Sequence, residues 1–592
     1  MPDSSSSISQ PSRPAVRVSL ACVACRTKHV RCDAVLPTCS RCRVEEKQCV
    51  YLKSRRGGRR RSRTASMANG AAARSENGPL GTLSAEQSLS SYEDDRIDSE
   101  SSGARTSSHN DEFGDPISEQ LLSLYYAFYH AAHPCVLPPR AMKRHLLNDS
   151  EAIQPLHAVM QYIGSLFTAS VSSAPWKAKA QESLAAMRHQ HPAITGYDVQ
   201  AVLLYSIAVY WCDESEKGLE LLDETIRMAL SIGMNRSVFA VEHGRQDPVL
   251  EESWRRTWWQ IYITDAHIAG STRAYPFRTS RVEMDVQLPC EEKSYETGQI
   301  PRPRTLQEYD MREFMDDDGQ EFSSFAELVG LTRSLDLALA PRRNLDFDTT
   351  TAVCANVDAS VTAWTSLLPA SKKDIVRQDG SFDEVLFKAN AIIHTYTVDL
   401  HRQLSTLAYS PIEAVAHCAP PAPPESLRGC NTPECKLHTS KVLRAIERLD
   451  ALLTLPTNIA THTPFMICMI ANTAIAHLAA CRYVYRGQQL QLGRERIRLS
   501  MGVLKTLSEY WPMGKRTYQE VGIIARETLS LEDPSRPQET LIQEVDVLQP
   551  MTIPVELPPP PALLVSDNSL DFCDLFDLNF HEGLDSMPAI SA

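Results

Sequence analysis

The sequence predicts a small cysteine-rich domain followed by a large all-α domain, with a disordered linker and tail. Six of the 16 cysteines fall within residues 22–49. Apolar residues recur at helical spacing from about residue 115 to about residue 530, and we find no run of alternating strands there. The segments outside these two regions are rich in Ser, Gly, Pro or acidic residues and poor in large apolar ones.

Composition divides the chain of 592 residues, which is too long for one core, into successive regions. The predicted regions are a disordered arm over 1–19, the cysteine-rich domain over 20–52, a basic run over 53–63, a disordered linker over 64–114, the all-α domain over 115–530 and an acidic tail over 541–592.

Charge is segregated along the chain. Residues 1–63 contain 15 Lys and Arg against 4 Asp and Glu, a local charge of +11, whereas the whole chain carries −13. The remaining residues therefore carry −24. A basic head on an acidic body indicates that the head binds nucleic acid.

The N-terminus has no apolar stretch of the kind that directs secretion, since Met1-Pro2-Asp3 is followed by four serines. We therefore expect a reducing, intracellular compartment, in which the cysteines do not form a disulfide framework.

The six clustered cysteines repeat one unit, C-x2-C-x6-C, with six residues between the copies. Thiolates suit tetrahedral zinc, and a C-x2-C turn lets two of them hold one ion. Six sulfurs can complete two four-sulfur sites only if two of them each bind both zinc ions. The symmetry of the repeat assigns this bridging role to Cys22 and Cys39. The predicted ligands of two Zn²⁺ ions are Cys22, Cys25, Cys32, Cys39, Cys42 and Cys49.

Metal must stabilise this segment, because it has too few aliphatic residues for a sufficient core. Zinc can supply roughly 10–16 kcal/mol per structural site, so we expect the segment to be unfolded without it. A short helix after each C-x2-C would present cations to phosphates and to guanine edges in the major groove. These cations are Arg26, Lys28, His29, Arg31, Arg41, Arg43 and Lys47.

Residues 22–49 resemble the binuclear zinc cluster (Zn2Cys6) of fungal transcription factors. The stretch ACVACRTKHVRCD is close to that family's first unit, and Pro37 lies where the family has its loop proline. The resemblance implies a nuclear protein that places its first helix over a CGG-type triplet of double-stranded DNA. It assigns base reading to Lys28 and His29, with Arg26 and Arg31 as the basic flanks.

Two questions about this segment stay open. The family usually has Lys or Arg at the position of His29, so the exact triplet is not determined. A structural zinc module for protein contacts, such as a RING-like site, is the alternative interpretation, although such a module normally has eight ligands.

The basic run allows three interpretations: phosphate contact beside the cluster, nuclear localisation, or a solvated run of charge. Residues 64–112 show no heptad repeat, so the protein either acts as a monomer or dimerises through its helical body. The arginines of the run are Arg55, Arg56, Arg59, Arg60, Arg61 and Arg63.

Helices are predicted throughout the all-α domain, and several stretches resemble the helical regulatory region that follows the cluster in this family. Among these stretches are ESWRRTWWQIYITDAHIAG (252–270) and HTPFMICMIANTAIAHLAACRY (462–483). The clearest predicted helices cover 198–212, 216–232, 252–269, 384–408, 438–454, 465–485 and 494–510.

Large aromatic residues at helical spacing favour a core over a ligand-binding box. These are Trp254, Trp258, Trp259 and Tyr262. Residues 465–485 are apolar enough to suggest a membrane span, but Asn472, Thr473 and His477 interrupt them. A buried helix is favoured, and no membrane partner is expected.

A second group of cysteines fits no zinc spacing that we can justify, and we predict thiols in loops or partly buried positions. The group is Cys418, Cys430 and Cys435, with His438 beside them. We also find no nucleophile elbow, phosphate-binding loop or dinucleotide fingerprint, so an enzyme is not indicated.

The tail alternates acids with Leu and Phe, and residues 541–592 contain nine Asp and Glu but no Lys or Arg. Such segments are typical of activation regions, whose aromatics dock as a nascent helix into a coactivator groove. The alternative is a disordered, solubilising tail. The predicted activation residues are Leu570, Phe572, Leu575, Phe576, Leu578 and Phe580.

Taken together, these features predict a sequence-specific RNA polymerase II transcription factor that activates the genes of a metabolic pathway. The resemblance suggests a secondary-metabolite biosynthetic gene cluster as one such target. A zinc-dependent protein-interaction cofactor or repressor is the alternative. The sequence names neither the target genes nor an effector ligand.

Overall fold

The computed structural model describes residues 42–43, 116–190, 193–314, 321–339, 346–377, 379–423 and 432–529. The chain divides into two units, Met1–Thr106 and Ser107–Ala592. Within the described part, the first unit contributes the helical residues Cys42 and Arg43, and the second contributes everything else.

Helices build the described part of the second unit. In chain order they are α1 (Pro116–Phe128), α2 (Pro139–Asn148), α3 (Ser150–Ser165), α4 (Ser173–Gln190), α5 (Gly196–Trp211), α6 (Ser215–Ser231), α7 (Ser237–His243), α8 (Pro248–Thr272), α9 (Glu292–Thr297), α10 (Leu306–Asp310), α11 (Ser324–Leu339), α12 (Phe347–Leu367), α13 (Ala370–Lys373), α14 (Glu384–His401), α15 (Pro433–Leu453), α16 (Met466–Tyr483), α17 (Gly487–Leu507) and α18 (Pro512–Leu529).

The prediction of an all-α body is confirmed. Over the ranges given above the structure has no strand, and β pairing is limited to the isolated bridges Leu288–Arg304 and Val376–Phe382. Neighbouring helices pack against each other, as α5 does against α6 and α14 against α15. The body is thus built mainly from contacts between helices that are close in sequence.

One predicted helix, 384–408, is too long. α14 ends at His401 and a single 3-10 turn follows over Arg402–Leu404. The Arg402 guanidinium turns inward, where its Nη2 donates to Glu413 Oε1 at 2.8 Å. The chain leaves the helix here and forms the loop that carries Glu413, the partner of this buried guanidinium.

Three helices are buried on nearly all sides and form the centre of the core. Every residue of α5 is buried, as are residues 252–269 of α8 and residues 466–481 of α16. The side chains of Trp254, Trp258, Trp259 and Tyr262 all lie in this core, so their predicted role in packing is confirmed. α5 and α16 are apolar around most of their circumference, and such a helix needs protein on every side.

Helix α16 is long and apolar enough to cross a membrane by length and composition. In the structure, however, 89% of its 18 residues are buried inside the body. Its polar residues Asn472, Thr473 and His477 are buried as well. Burial against other helices accounts for its composition, and the predicted buried helix is confirmed.

Local capping signals define where two central helices begin. Thr195 and Asp198 form a reciprocal capping box at the start of α5. Asp247 caps α8 by accepting from the Val249 N–H at 3.0 Å, and Pro248 occupies the first helical position. The second oxygen of Asp247 accepts from Arg144 at 2.6 Å, so this cap also ties α8 to α2.

Helices α1 and α3 pack closely at Gly164. A Cβ atom at this position would lie 1.9 Å from the carbonyl oxygen of Leu121, which is backbone and cannot rotate away. Only glycine therefore permits the observed separation of the two helices.

We expect Gly164→Ala to lower the free energy of unfolding by about 1–3 kcal/mol, the usual effect of forcing volume into a packed interior. Gly502→Ala is the matched control, because nothing lies within 4 Å of a Cβ there and alanine favours the helix by up to about 1 kcal/mol. Urea denaturation followed by circular dichroism measures both. Equal effects of the two substitutions would show that the α1–α3 approach is not tight.

Candidate nucleic-acid interface and buried charge network

The cysteine-rich segment is described at two of its predicted site residues. Cys42 and Arg43 are helical, and the Cys42 side chain is buried while Arg43 is exposed. This is the arrangement that the predicted short helix after the second C-x2-C would have. The other predicted residues lie outside the described ranges: Cys22, Cys25, Cys32, Cys39, Cys49, Arg26, Lys28, His29, Arg31, Arg41, Arg55, Arg56, Arg59, Arg60, Arg61, Arg63, Leu570, Phe572, Leu575, Phe576, Leu578 and Phe580.

The donor chemistry of this segment fits zinc. Six thiols in two C-x2-C-x6-C units are soft ligands at a spacing that structural zinc sites use. Of the two described residues, Cys42 is buried and its neighbour Arg43 is exposed.

The helical body contains a buried charge network centred on Arg256 of α8. Its Nε donates to Glu252 Oε1 at 2.9 Å, and its Nη1 lies 2.5 Å from Glu292 Oε2 on α9. Nη1 also donates to the carbonyl oxygen of Pro134 at 3.1 Å, and Nη2 donates to the carbonyl oxygen of Cys290 at 2.8 Å. One buried guanidinium thus joins α8, α9 and two loops.

Glu252 holds the other half of the network. Its second oxygen accepts from Arg255 Nε at 3.0 Å, and its first also accepts from the backbone N–H of Cys290 at 2.9 Å. Glu252, Arg255 and Arg256 are each at most 2% exposed. Each buried guanidinium is thus paired with the Glu252 carboxylate, and pairing is the condition under which charges tolerate burial.

The electrostatic effect of the network is seen at Glu292. Desolvation by the surrounding body acts to raise the pKa of this carboxyl, but the charge of Arg256, with help from His130, lowers it to about 2. Glu292 is therefore ionised at neutral pH and complements the buried guanidinium.

This network was not predicted from the sequence. The feature of the sequence that could have indicated it is the stretch Glu252-Ser253-Trp254-Arg255-Arg256. There, charged residues stand among large aromatic residues that are predicted to lie in the core. Charged residues in such a place must be paired, although the sequence does not show with what.

The prediction of thiols at Cys418 and Cys435 is wrong, since both are disulfide-bonded and Cys418 pairs with Cys468 of α16. Cys430 lies outside the described residues. The Cys418–Cys468 bridge lines a small cavity of about 50 Å³ between α8, α14 and α16, together with His267, Arg273 and Tyr396. Sequence spacing did not indicate the bridge because its partners are 50 residues apart.

Comparison with known proteins places two domains on the chain. Residues 20–58 match the fungal Zn(2)-Cys(6) binuclear cluster domain, and residues 122–340 match the fungal specific transcription factor domain. The chain is 31% identical over 570 residues to the C6 finger domain transcription factor iacK of Pestalotiopsis fici, covering 88% of this chain and 82% of that protein. No solved structure matches.

We expect Glu252→Ala to lower the free energy of unfolding by about 3–5 kcal/mol, because it leaves two buried guanidinium groups without their shared partner. The matched control is Glu220→Ala, which removes an exposed pair with Lys217 and should change stability by less than about 1 kcal/mol. Urea denaturation of the full chain measures both. A loss for Glu252→Ala no larger than that of the control would contradict the central role of the network.

Proposed function

Because the chain belongs to the fungal Zn(2)-Cys(6) transcription factor family, it binds zinc and double-stranded DNA, and we propose that it is a sequence-specific activator of RNA polymerase II transcription. The observation that carries the proposal is the tandem C-x2-C-x6-C repeat with cations between its cysteines. The families and the relative are those of a transcription factor and not of an enzyme.

The proposed cluster holds two Zn²⁺ ions per chain through six thiolates, with Cys22 and Cys39 bridging. Lys28 and His29 read a CGG-type triplet in the major groove, and Arg26, Arg31, Arg41 and Arg43 contact the backbone beside it. Support comes from the sequence pattern and from the helical, exposed Arg43. His29 is shorter than the usual Lys or Arg, so it requires a closer approach to guanine.

The basic run over 53–63 extends this interface. We propose that its arginines contact phosphates next to the cluster and direct the protein to the nucleus. Its high density of Arg, with no acidic residue in the run, supports both roles.

The acidic tail supplies the activating function in this proposal. Leu570, Phe572, Leu575, Phe576 and Phe580 dock into coactivator grooves, while the interleaved acids keep them in water until they bind. The arrangement of cluster, helical body and acidic tail is typical of regulators of one metabolic pathway, and we propose a secondary-metabolite gene cluster as the class of target.

The linker and the helical body are the two regions that could form a dimer contact. The linker over 64–112 has no heptad repeat, so we propose that any homodimer forms through the helical body. The competing function is a zinc-dependent interaction cofactor or repressor that does not itself activate. Measurements of DNA affinity and of transcription from a reporter distinguish the activator from this cofactor or repressor.

We expect residues 15–65 carrying two zinc ions to bind a CGG-containing duplex more tightly than a scrambled duplex, with affinity falling steeply as salt rises. Lys28→Ala should cost about 1–3 kcal/mol on the CGG duplex and reduce the preference for it. Arg60→Ala is the control, since a phosphate contact weakens binding to both duplexes equally. Fluorescence anisotropy measures these affinities. If zinc-loaded protein bound both duplexes equally, the interaction-cofactor interpretation would replace the proposal.

We expect simultaneous substitution of Phe572, Phe576 and Phe580 by Ala to lower transcription from a reporter several-fold while promoter occupancy stays unchanged. Loss of the aromatic rings removes the apolar contact with a coactivator but leaves the DNA-binding head intact. Substitution of Pro558, Pro559 and Pro560 by Ala controls for changes elsewhere in the tail. Unchanged output from the aromatic variant would exclude the tail from activation.

A further inference from the structure

Three side chains of metal-ligand type meet inside the helical body, away from the cysteine-rich segment. Cys354 lies on α12, His401 is the last residue of α14, and His438 lies on α15. The Cys354 sulfur and one nitrogen of each imidazole all lie within 4.8 Å of one another. The residues are 1%, 1% and 8% exposed, so the group is closed off from bulk water. All three lie beyond residue 340, where the match to the helical family ends.

The two imidazoles face each other through the same ring atom. His401 Nδ1 lies 2.7 Å from His438 Nδ1, and His401 Nε2 lies 3.1 Å from Asp358 Oδ1. Because a carboxylate only accepts, we assign the donated hydrogen to His401 Nε2, which leaves a lone pair on its Nδ1. The Nδ1 atom that carries this lone pair is the one that faces His438, the second candidate ligand.

The surrounding residues form an outer shell of the kind that orients metal ligands. Asp358 follows Cys354 by one helical turn on α12, and Lys441 follows His438 by three residues on α15. Lys441 Nζ contacts the second oxygen of Asp358. Each of these two helices therefore supplies one candidate ligand and one outer-shell residue. Histidine ligands of zinc almost always donate their other N–H to a carboxylate, carbonyl or water in this way.

We propose that Cys354, His401 and His438 bind one Zn²⁺ ion, in addition to the ions of the cysteine-rich cluster. One thiolate and two imidazoles are a donor set that suits zinc, and water completes the tetrahedron. With Zn–N distances of about 2.0–2.1 Å, two ligand nitrogens lie about 3.3 Å apart, so the rings part by about half an ångström on binding. The ion joins α12, α14 and α15, and it does not depend on the proposed DNA-binding function.

The alternative is a metal-free core in which His438 donates its Nδ1 hydrogen to His401 and Cys354 only packs against the pair. The two arrangements differ in zinc content. They also differ in the effect of Asp358→Asn. In the zinc site Asp358 orients a ligand, so its loss weakens metal binding about 10- to 100-fold without removing a ligand.

Zinc content of the full-length protein, measured by mass spectrometry after removal of loosely bound metal, tests the proposal. We expect three Zn²⁺ per chain in the wild type and two in each of Cys354→Ala and His438→Ala. Cys290→Ala, which changes a half-buried cysteine outside the group, is the matched control and should retain three. A double variant, Cys22→Ser with Cys39→Ser, should lose the cluster ions and retain one. The zinc content therefore shows separately whether the cysteine-rich cluster binds zinc and whether the Cys354, His401 and His438 site does.

A second measurement guards against loss of zinc through misfolding. In the Cys22→Ser, Cys39→Ser background, Co²⁺ should give a thiolate-to-cobalt absorption band that Cys354→Ala abolishes while the far-UV circular dichroism stays unchanged. Asp358→Asn should keep the band but lose Co²⁺ to a chelator at a 10- to 100-fold lower concentration. Two Zn²⁺ in the wild type, or the same zinc content in wild type and both ligand variants, would overturn the proposal.

Discussion

The helical body depends on the burial of Arg256 with its charge balanced. A guanidinium removed from water costs several kcal/mol unless every donor finds a partner, and here the partners come from α8, α9 and the loops at Pro134 and Cys290. These segments must therefore arrive together, because any one of them missing would leave a buried charge only partly paired. The same condition explains why α8 carries two arginines and a glutamate in its most enclosed stretch.

The composition of the body and that of the cysteine-rich segment call for different sources of stability. In the body, three helices are enclosed on nearly all sides, and apolar burial supplies the driving force. The segment over 20–52 has no comparable apolar content, so metal ligation must substitute for a core. Removal of the cluster ions is accordingly expected to affect the two regions differently, since apolar burial, and not those ions, packs α5, α8 and α16.

The fold could be predicted from the sequence wherever the signal was local. Helical spacing located α5, α8 and α16, and the polar residues of α16 argued correctly against a membrane span. Long-range partners were not predictable. The Cys418–Cys468 bridge and the meeting of Cys354, His401 and His438 join residues far apart in the chain, and no spacing rule relates them. The early end of α14 has the same cause, because it depends on Glu413, beyond the helix.

Segregation of charge determines which part of the chain DNA attracts. Residues 1–63 carry +11 and the remainder carries −24. Phosphates attract the head without regard to sequence, and within a screening length of about 8 Å at physiological salt they repel an acidic surface. We therefore expect non-specific affinity to come from the head. In the proposed mode of binding, contacts to base edges would then make up a larger share of the binding free energy than they would in a protein with a uniformly basic surface, so an acidic body favours selectivity.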